Sequence, residues 1–306
     1  MQIRLSIRHW TAIAAAAAAA LLWLAYQRHW KRPGPALMAS FAPASTRVLV
    51  HIDVGALRDS GVLELVAGAR VLEDSEYLRF VRASQFDYRR DLDGVMLAFG
   101  PDENLYLASG RFRWPAIRNY VGGHGGACDG PVCYLPAMQP RRFISLMPLR
   151  PNLLAIAVSP DRRAVRRLTE PGGRRNIKIP PEPVWVELFP AALQNPEDFP
   201  AGTHLFIKAL QGSETVSLSF GASGSRYRAR LRAVCAAEAD AKVLLAQFER
   251  ITDVLRKLIA SRQQQPNPRD LSGVLTAGVF RREGREVFGE WPIERQFLES
   301  LSGGSQ

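Results

Sequence analysis

The chain has 306 residues, 47% of them hydrophobic, which excludes a disordered polar tail and allows one large or two ordinary domains. The formal net charge is +11, and the basic residues are nearly all arginine. Between residues 141 and 175, nine arginines face one aspartate and one glutamate. A local excess of this size attracts anionic partners.

The first residues, 1–32, are predicted to form a membrane anchor with basic flanks. Arg4 and Arg8 precede an apolar run at 10–26, and further basic residues follow it. A helix of these 17 residues reaches about 25 Å, which spans a bilayer when its aromatic and basic ends lie at the interfaces. A cleaved secretory signal is the alternative, but no small-x-small site closes the run. Both interpretations place the remaining chain outside the cytoplasm, in the periplasm, and the first keeps the anchor in the inner membrane.

The chain divides into six predicted segments. They are the anchor at 1–32, a Pro/Ala-rich spacer at 33–45, a first α+β repeat at 46–170, a linker at 171–182, a second α+β repeat at 183–301, and a polar tail at 302–306. The linker is predicted because the stretch 171–183 holds paired glycines and four prolines. The spacer is expected to hold the folded region a short way off the membrane.

Both repeats open with similar strand patterns. Residues 48–53 resemble 184–189, and residues 95–100 resemble 216–221. In the second repeat an apolar stripe at intervals of three and four residues predicts a long helix over 239–262. Each repeat therefore contains an opening strand and helix followed by two strand-strand-helix units.

Two short signatures also occur twice. Asp-Leu-x-Gly-Val stands at 91–95 and 270–274, and Trp-Pro-x-x-Arg-x-aromatic stands at 114–120 and 291–297. We interpret the stretches that they enclose as one strand-strand-helix unit used twice. A permissive turn, a fixed φ and a large ring are structural devices. The residues predicted to determine the fold are Asp91, Gly94, Trp114, Pro115, Asp270, Gly273, Trp291 and Pro292.

These patterns predict an α+β protein after an N-terminal transmembrane helix. Internally duplicated strand-strand-helix units are expected to form largely antiparallel sheets with helices on one face. The sequence leaves open whether the two repeats share one continuous sheet or form two abutting domains.

Two of the three cysteines are predicted to meet. Cys128 and Cys133 flank a four-residue turn, and a tight hairpin brings such side chains within bridging distance. An oxidising compartment allows a disulfide, and the reduced pair remains the alternative. Cys235 lies in an apolar strand pattern, which indicates a core residue.

An arginine cluster is the strongest surface signal. A helix over 162–168 would leave Ala164, Val165 and Leu168 to pack inward and expose its arginines. A solvated basic face is one interpretation, and contact with lipid headgroups or an anionic envelope polymer is the other. The predicted contact residues are Arg162, Arg163, Arg166, Arg167, Arg174 and Arg175.

Catalytic chemistry has little support in the sequence. His51 and Asp53 are two residues apart on a predicted strand, so they face one side and provide a candidate base and orienting group. The Gly-rich stretch at 221–225 lacks the spacing of a nucleophile elbow. No catalytic residue, metal site or cofactor is predicted. The predicted compartment disfavours nucleic acid as a partner.

The layout resembles that of uncharacterised bacterial membrane-anchored proteins of unknown function. It consists of an anchor, a Pro/Ala spacer, a Val-rich strand, the stretch Phe-Asp-Tyr-Arg-Arg-Asp-Leu-Asp at 86–93, and paired strand-strand-helix units. The resemblance covers most of 44–301 and implies an extracytoplasmic location.

The leading functional hypothesis is a non-enzymatic, membrane-anchored extracytoplasmic domain that binds a protein or an envelope component. The first alternative is a scaffold subunit of a secretion or pilus assembly machine. The second is an envelope hydrolase that uses His51 and Asp53. The ligand and the oligomeric state are left open.

Overall fold

The structure, a computed structural model, describes residues 32–67, 75–101, 103–169, 177–223 and 226–302. Residues 1–31 of the predicted anchor, including its whole apolar run at 10–26, lie outside these ranges. None of the helices within them combines the length and apolar character needed to cross a membrane.

The described part of the chain contains strands, α-helices and short 3-10 helices. The strands are β1 (Val48–Ile52), β2 (Leu92–Phe99), β3 (Asn104–Gly110), β4 (Ala127–Asp129), β5 (Val132–Pro136), β6 (Phe143–Arg150), β7 (Leu153–Ser159), β8 (Val184–Leu188), β9 (Ser213–Ser223), β10 (Arg226–Cys235), β11 (Val279–Glu283) and β12 (Glu286–Ile293). The α-helices are α1 (Pro35–Ala39), α2 (Val54–Asp59), α3 (Val62–Ala67), α4 (Ser75–Ser84), α5 (Tyr88–Asp91), α6 (Trp114–Gly123), α7 (His204–Leu210), α8 (Glu238–Ser261), α9 (Leu271–Thr276) and α10 (Arg295–Ser302). Short 3-10 helices lie at Ala164–Thr169, Pro190–Ala192, Pro196–Asp198 and Ala201–Thr203.

The strands form one 12-stranded sheet in the order β11-β12-β10-β9-β8-β1-β2-β3-β7-β6-β5-β4. Each recorded strand pair is antiparallel. The chain is therefore a mixed α+β protein with a large antiparallel sheet. The first and second halves of the chain meet where β1 pairs with β8, with Val50 opposite Val186. The sheet is continuous across this junction.

The strands next to the junction pair in matching registers. Val48 lies opposite Phe99 in β1–β2, and Val184 lies opposite Phe220 in β8–β9. Beyond them, β7 and β6 follow β3 on one side as β12 and β11 follow β10 on the other. By position in the sheet, the counterpart of β11–β12 is therefore β6–β7 and not β2–β3.

The two Asp-Leu-x-Gly-Val signatures adopt different structures. The first runs into β2, whereas Leu271–Thr276 of the second forms α9. The helix forms because Asp270 is its N-cap and accepts a hydrogen bond from the Ser272 N–H at 2.7 Å. Gly273 is required inside it, since a Cβ there would lie 2.3 Å from the Asn267 carbonyl oxygen. The expectation of one unit used twice is therefore wrong at this signature.

The two Trp-Pro pairs also differ. Trp114 and Pro115 begin α6, whereas Trp291 and Pro292 lie inside β12. Pairing decides the second case, because β12 extends along β10 until Ile293. A strand pair followed by a helix does occur at both places, but the helix after β12 begins later, at Arg295.

In the first half, layers cover both faces of the sheet, so the prediction of helices on one face is wrong there. Leu107 packs in one cluster with residues of α1 and of the 3-10 helix Ala164–Thr169. Its neighbour Ala108 points the opposite way and packs with residues of α6. The same split separates Leu153 from Leu154. Strands that are covered on both faces need nearly continuous apolar sequence.

The second half follows the predicted pattern more closely. Helix α8 confirms the long helix predicted from the apolar stripe, and it packs with α7 against Leu231 and Val287 on one sheet face. On the other face, β10 and β12 carry arginine–glutamate pairs. Arg232 Nε and Nη2 bind both carboxylate oxygens of Glu286, at 2.8 and 2.5 Å.

Candidate binding site

A cavity of about 820 Å³ opens in the first half, between the N-terminal turn of α6 and the β6–β7 turn. Its volume lies within the range of about 300–1,000 Å³ that is typical of small-ligand sites. Its buried lining residues are Leu154, whose side chain lies on the α6 face of the sheet, and Leu153, whose side chain points to the opposite face. The rim includes the half-buried rings of Phe112 and Trp114.

Pairing of β3 with β7 assembles this cavity. Ser109 lies opposite Leu153, so the loop that follows β3 and the turn that precedes β7 end side by side. That loop supplies Arg113, and Arg150 is the last residue of β6, directly before the turn. Two residues that are far apart in sequence therefore line one opening.

Gln85 at the cavity rim has an unusual backbone conformation. It follows α4, its N–H donates to the Val81 carbonyl oxygen at 2.9 Å, and its φ is +56°. Glycine is favoured at this position after a helix, and another residue there costs about 1–2 kcal/mol. The side chain is used: Gln85 Oε1 accepts a hydrogen bond from Arg113 Nη1 at 2.5 Å. Backbone strain of this kind concentrates at functional sites.

Asp91 fixes the loop that leads into the cavity. Its carboxylate accepts hydrogen bonds from the Asp87 N–H at 3.0 Å, from Arg90 at 3.2 Å and from Arg111 at 3.2 Å. Burial raises the pKa of Asp91, but these hydrogen bonds outweigh it and hold the pKa below its ordinary value. The Arg111 N–H donates to the Asp91 carbonyl oxygen at 2.8 Å. A Cβ at Gly110 would lie 2.2 Å from that oxygen, so glycine is required there.

The apolar wall is rigid because its members are held in place. Phe112 stacks on Phe86 with ring centroids 5.1 Å apart. Trp114 and Pro115 occupy the first turn of α6, where proline loses no helical hydrogen bond. The predicted structural pair Trp114–Pro115 therefore also contributes to the cavity.

The polar groups of the cavity are suited to binding. They are the side chains of Gln85, Arg113, Asn119 and Arg150. No ion pair to a carboxylate is recorded for Arg113 or Arg150 in the described part of the chain. The described lining residues offer hydrogen-bond donors and positive charge, and they include no Asp, Glu, His, Ser or Cys that would act as base or nucleophile.

The predicted arginine cluster is largely paired within the chain. Arg162 lies over the Phe143 ring at 4.5 Å, and Arg163 binds Asp129 at 2.6 Å. Arg167 binds Glu103 and, at 3.2 Å, Asp161. These contacts reduce the positive charge that the surface presents.

The fold of the arginine segment departs from the expected α-helix. The segment is the 3-10 helix Ala164–Thr169, and it buries Ala164, Val165 and Leu168 as predicted. Arg166 is exposed. Arg174 and Arg175 lie outside the described residues.

His51 and Asp53 do not form the expected catalytic pair. His51 is 5% exposed, stacks on Trp185 with ring centroids 5.4 Å apart, and leaves its Nδ1 without a hydrogen bond. Burial lowers the pKa of His51, and the charge of Asp53 only partly offsets this. Asp53 instead caps α2, since its Oδ1 accepts from the Ala56 N–H at 2.8 Å. Neither residue lines the cavity, so the geometry gives no support to the hydrolase alternative.

Cys128 and Cys133 form a disulfide between β4 and β5. The two residues lie directly opposite each other, and Gly130, with φ +60°, begins the turn between them. Glycine followed by Pro131 suits a two-residue hairpin turn. Cys235 is a free, buried cysteine, and burial raises the pKa of its thiol.

The sequence patterns did not identify Gln85, Arg113 or Arg150 as site residues. Two of them had a signal: Arg113 directly precedes Trp114-Pro115, and Arg150 stands just before Pro151. An arginine one or two residues before a proline indicates a binding site only when the strand pairing shows that the two arginines line the same cavity. Gln85 had no such signal, because a positive φ at glutamine is set by the tertiary structure.

Comparisons with known proteins bear on the fold. No protein-family model and no curated protein matches the chain. The chain is similar to the solved structure of TP0453 in crystal form I, with a TM-score of 0.50 and 14% identity over 87% of this chain and 96% of that one. Crystal form III of TP0453 gives a TM-score of 0.50 and 11% identity over 86% and 96%. Similarity at this identity indicates a related fold and carries no function.

Proposed function

We propose that this chain is a non-enzymatic, membrane-anchored periplasmic domain that binds a protein or an envelope component in the cavity between α6 and the β6–β7 turn. The observation that carries the proposal is the pair Arg113 and Arg150, which line a partly apolar cavity without a recorded carboxylate partner. The strained Gln85 that binds Arg113 supports a functional role for the same place.

The proposed compartment rests on the apolar run at 10–26, and the disulfide is compatible with an oxidising environment. Protease added to intact spheroplasts is expected to degrade the folded region. Protection until detergent is added would place that region in the cytoplasm and contradict this part of the proposal.

We further propose that the sheet arose by internal duplication, with β1–β2–β3 corresponding to β8–β9–β10. The matching registers of β1–β2 and β8–β9 support this correspondence.

Photocrosslinking in cells tests the proposed site. Benzoylphenylalanine replaces Asn119, an exposed residue of the cavity lining, and in a matched chain it replaces Val254, an exposed residue of α8. We expect a discrete adduct from position 119 and none from position 254. Equal adducts from both positions, or none from position 119, would contradict binding in this cavity.

A further inference from the structure

We propose that the cavity binds the C-terminal end of a peptide chain, with the terminal carboxylate at Arg113 and Arg150 and an apolar terminal side chain on the floor of the cavity. This inference rests on the proposed function, because it names the ligand class of the same site. It commits to a peptide, and an apolar carboxylic acid that is not a peptide is treated below as an outcome of the test.

The charge of the cavity selects an anion. Within the described part of the chain, the Arg113 guanidinium donates one hydrogen bond, to the neutral amide of Gln85, and most of its five N–H donors stay free. Nearby Arg111 differs, since it binds the carboxylate of Asp91 at 3.2 Å. Arginine binds carboxylates through two parallel hydrogen bonds, so a guanidinium without an acidic partner at a cavity rim fits a carboxylate ligand.

The apolar part of the lining selects a ligand with an apolar body next to its charge. Phe112, Trp114 and Pro115 form a partly exposed apolar wall, and Leu154 lies below it on the α6 face of the sheet. A free inorganic anion or a strongly hydrated polymer would leave these surfaces exposed to water. An apolar side chain would cover them and gain from the loss of exposed apolar area.

The amide groups favour a peptide over a simple fatty acid. Asn119 is exposed, and among the described residues neither its side chain nor the NH₂ group of Gln85 has a hydrogen-bond partner, while Gln85 Oε1 binds Arg113. A peptide backbone needs donors and acceptors of this kind, whereas an alkyl chain needs none. A terminal carboxylate, backbone amides and an apolar side chain together match the groups that the cavity presents.

The test compares two libraries of N-biotinylated pentapeptides that differ only at the C-terminus, one with a free carboxylate and one with a carboxamide. Both are incubated with the full chain in neutral maltoside micelles, and retained sequences are identified by mass spectrometry. We expect retention of carboxylate peptides that end in Leu, Ile, Val or Phe, with at least about tenfold weaker binding of the matched amides.

Variants assign the effect to the site. Arg113→Gln combined with Arg150→Gln is expected to remove the preference for the carboxylate, whereas Arg166→Gln, an exposed arginine of the same half, is expected to retain it. Thermal unfolding of each variant is measured alongside, so that loss of folding is recognised. Leu154→Trp fills the floor and is expected to weaken both libraries.

Three results would overturn the inference. Equal retention of acid and amide peptides would remove the role of the arginines. Saturable binding of radiolabelled decanoate, with no retention of any peptide, would assign the site to fatty acids. Loss of binding in Arg166→Gln alone would move the site to the arginine segment. A persisting crosslink from position 119 in any of these cases would leave the proposed binding function intact while the peptide class fails.

Discussion

The inner strands of the two halves differ in how many of their faces are covered. In the first half, β3 and β7 are apolar on both faces, and helical layers bury each of them. In the second half, β9 and β10 alternate between apolar and polar residues over most of their length, with α8 on one face and ion pairs on the other. The apolar pattern of each strand therefore indicates whether one or both of its faces are covered. One antiparallel sheet accommodates both arrangements.

The difference has a consequence for function. In the first half, the cavity of about 820 Å³ lies where the loop after β3, the first turn of α6 and the β6–β7 turn come together at one end of the sheet. The polar face of the second half contains a smaller cavity of about 230 Å³, in which Arg228 and Arg230 bind Glu290 and Glu182. The arginines of the smaller cavity are thus paired with carboxylates, whereas Arg113 and Arg150 of the larger cavity form no ion pair within the described residues.

The largest expected change in unfolding free energy comes from exchanging the residue types at two matching positions of the sheet. Leu107 and Arg232 hold matching places, since Leu107 pairs with Met96 in β2 and Arg232 pairs with Ser217 in β9. Leu107→Arg buries an unpaired charge and is expected to cost more than about 4 kcal/mol of unfolding free energy. Arg232→Leu is expected to cost about 1 kcal/mol. Urea unfolding measures both, and similar costs would show that the faces are not different.

The two tryptophans of the repeated Trp-Pro pair sharpen the comparison. Trp291 is 6% exposed and packs edge-on against Phe280 with ring centroids 5.5 Å apart, so Trp291→Ala is expected to cost about 3–5 kcal/mol. Trp114 is half-buried at the cavity rim, and Trp114→Ala is expected to cost about 1 kcal/mol while it weakens ligand binding. Equal losses of stability would contradict the assignment of one ring to the core and the other to the site.

The two halves also differ in how a buried titratable group makes the unfolding free energy depend on pH. His51 and Glu187 lie at matching positions, opposite Met96 and Ser217, and both are buried. Burial lowers the pKa of His51, so the unfolded state binds protons first as the pH falls below about 6.5, and stability falls with it. Burial raises the pKa of Glu187, although a hydrogen bond from Ser217 lowers it in part. The unfolded state therefore releases its proton first as the pH rises above about 4.5, and stability falls in that direction.

Two variants test these opposite slopes. His51→Leu is expected to reduce the loss of unfolding free energy between pH 7 and pH 5. Glu187→Gln is expected to stabilise the protein at pH 7 and to have little effect at pH 4. Chemical unfolding across this range gives the slopes, and parallel pH profiles for both variants and the parent chain would contradict the burial of these groups.

The smallest expected effect concerns Gln85. Gln85→Gly relieves a positive φ and is expected to raise the unfolding free energy by about 1 kcal/mol. The same change removes the hydrogen bond to Arg113 and is expected to weaken binding of carboxylate peptides. Thermal unfolding and peptide binding are measured together. A variant that is more stable and binds equally well would exclude a role for Gln85 in the site.

The sequence predicted the local elements better than their assembly. Apolar alternation was sufficient for β1, β2, β8 and β9, and the spacing of Cys128 and Cys133 was sufficient to suggest their disulfide. The repeated signatures misled, because Asp270 serves as a helix cap while Asp91 braces a loop. Similar short sequences therefore adopt different structures when their capping groups and strand-pairing partners differ.

The covered faces and the site were harder to predict. Continuous apolar runs such as 153–157 carried a signal for two covering layers. The cavity carried almost none, because Gln85, Arg113 and Arg150 come together only through the pairing of β3 with β7 and the end of α4. A site whose residues come from three separate places in the chain cannot be predicted until the tertiary structure is known.

One measurement tests directly whether binding belongs to the free arginines of the first half. Crosslinking in cells from benzoylphenylalanine at position 119 is repeated in two chains that each lose two arginines, one with Arg113→Gln and Arg150→Gln and one with Arg228→Gln and Arg230→Gln. We expect the adduct to disappear in the first chain and to persist in the second. An adduct that survives the first pair of changes, or is lost equally in both chains, would contradict the assignment.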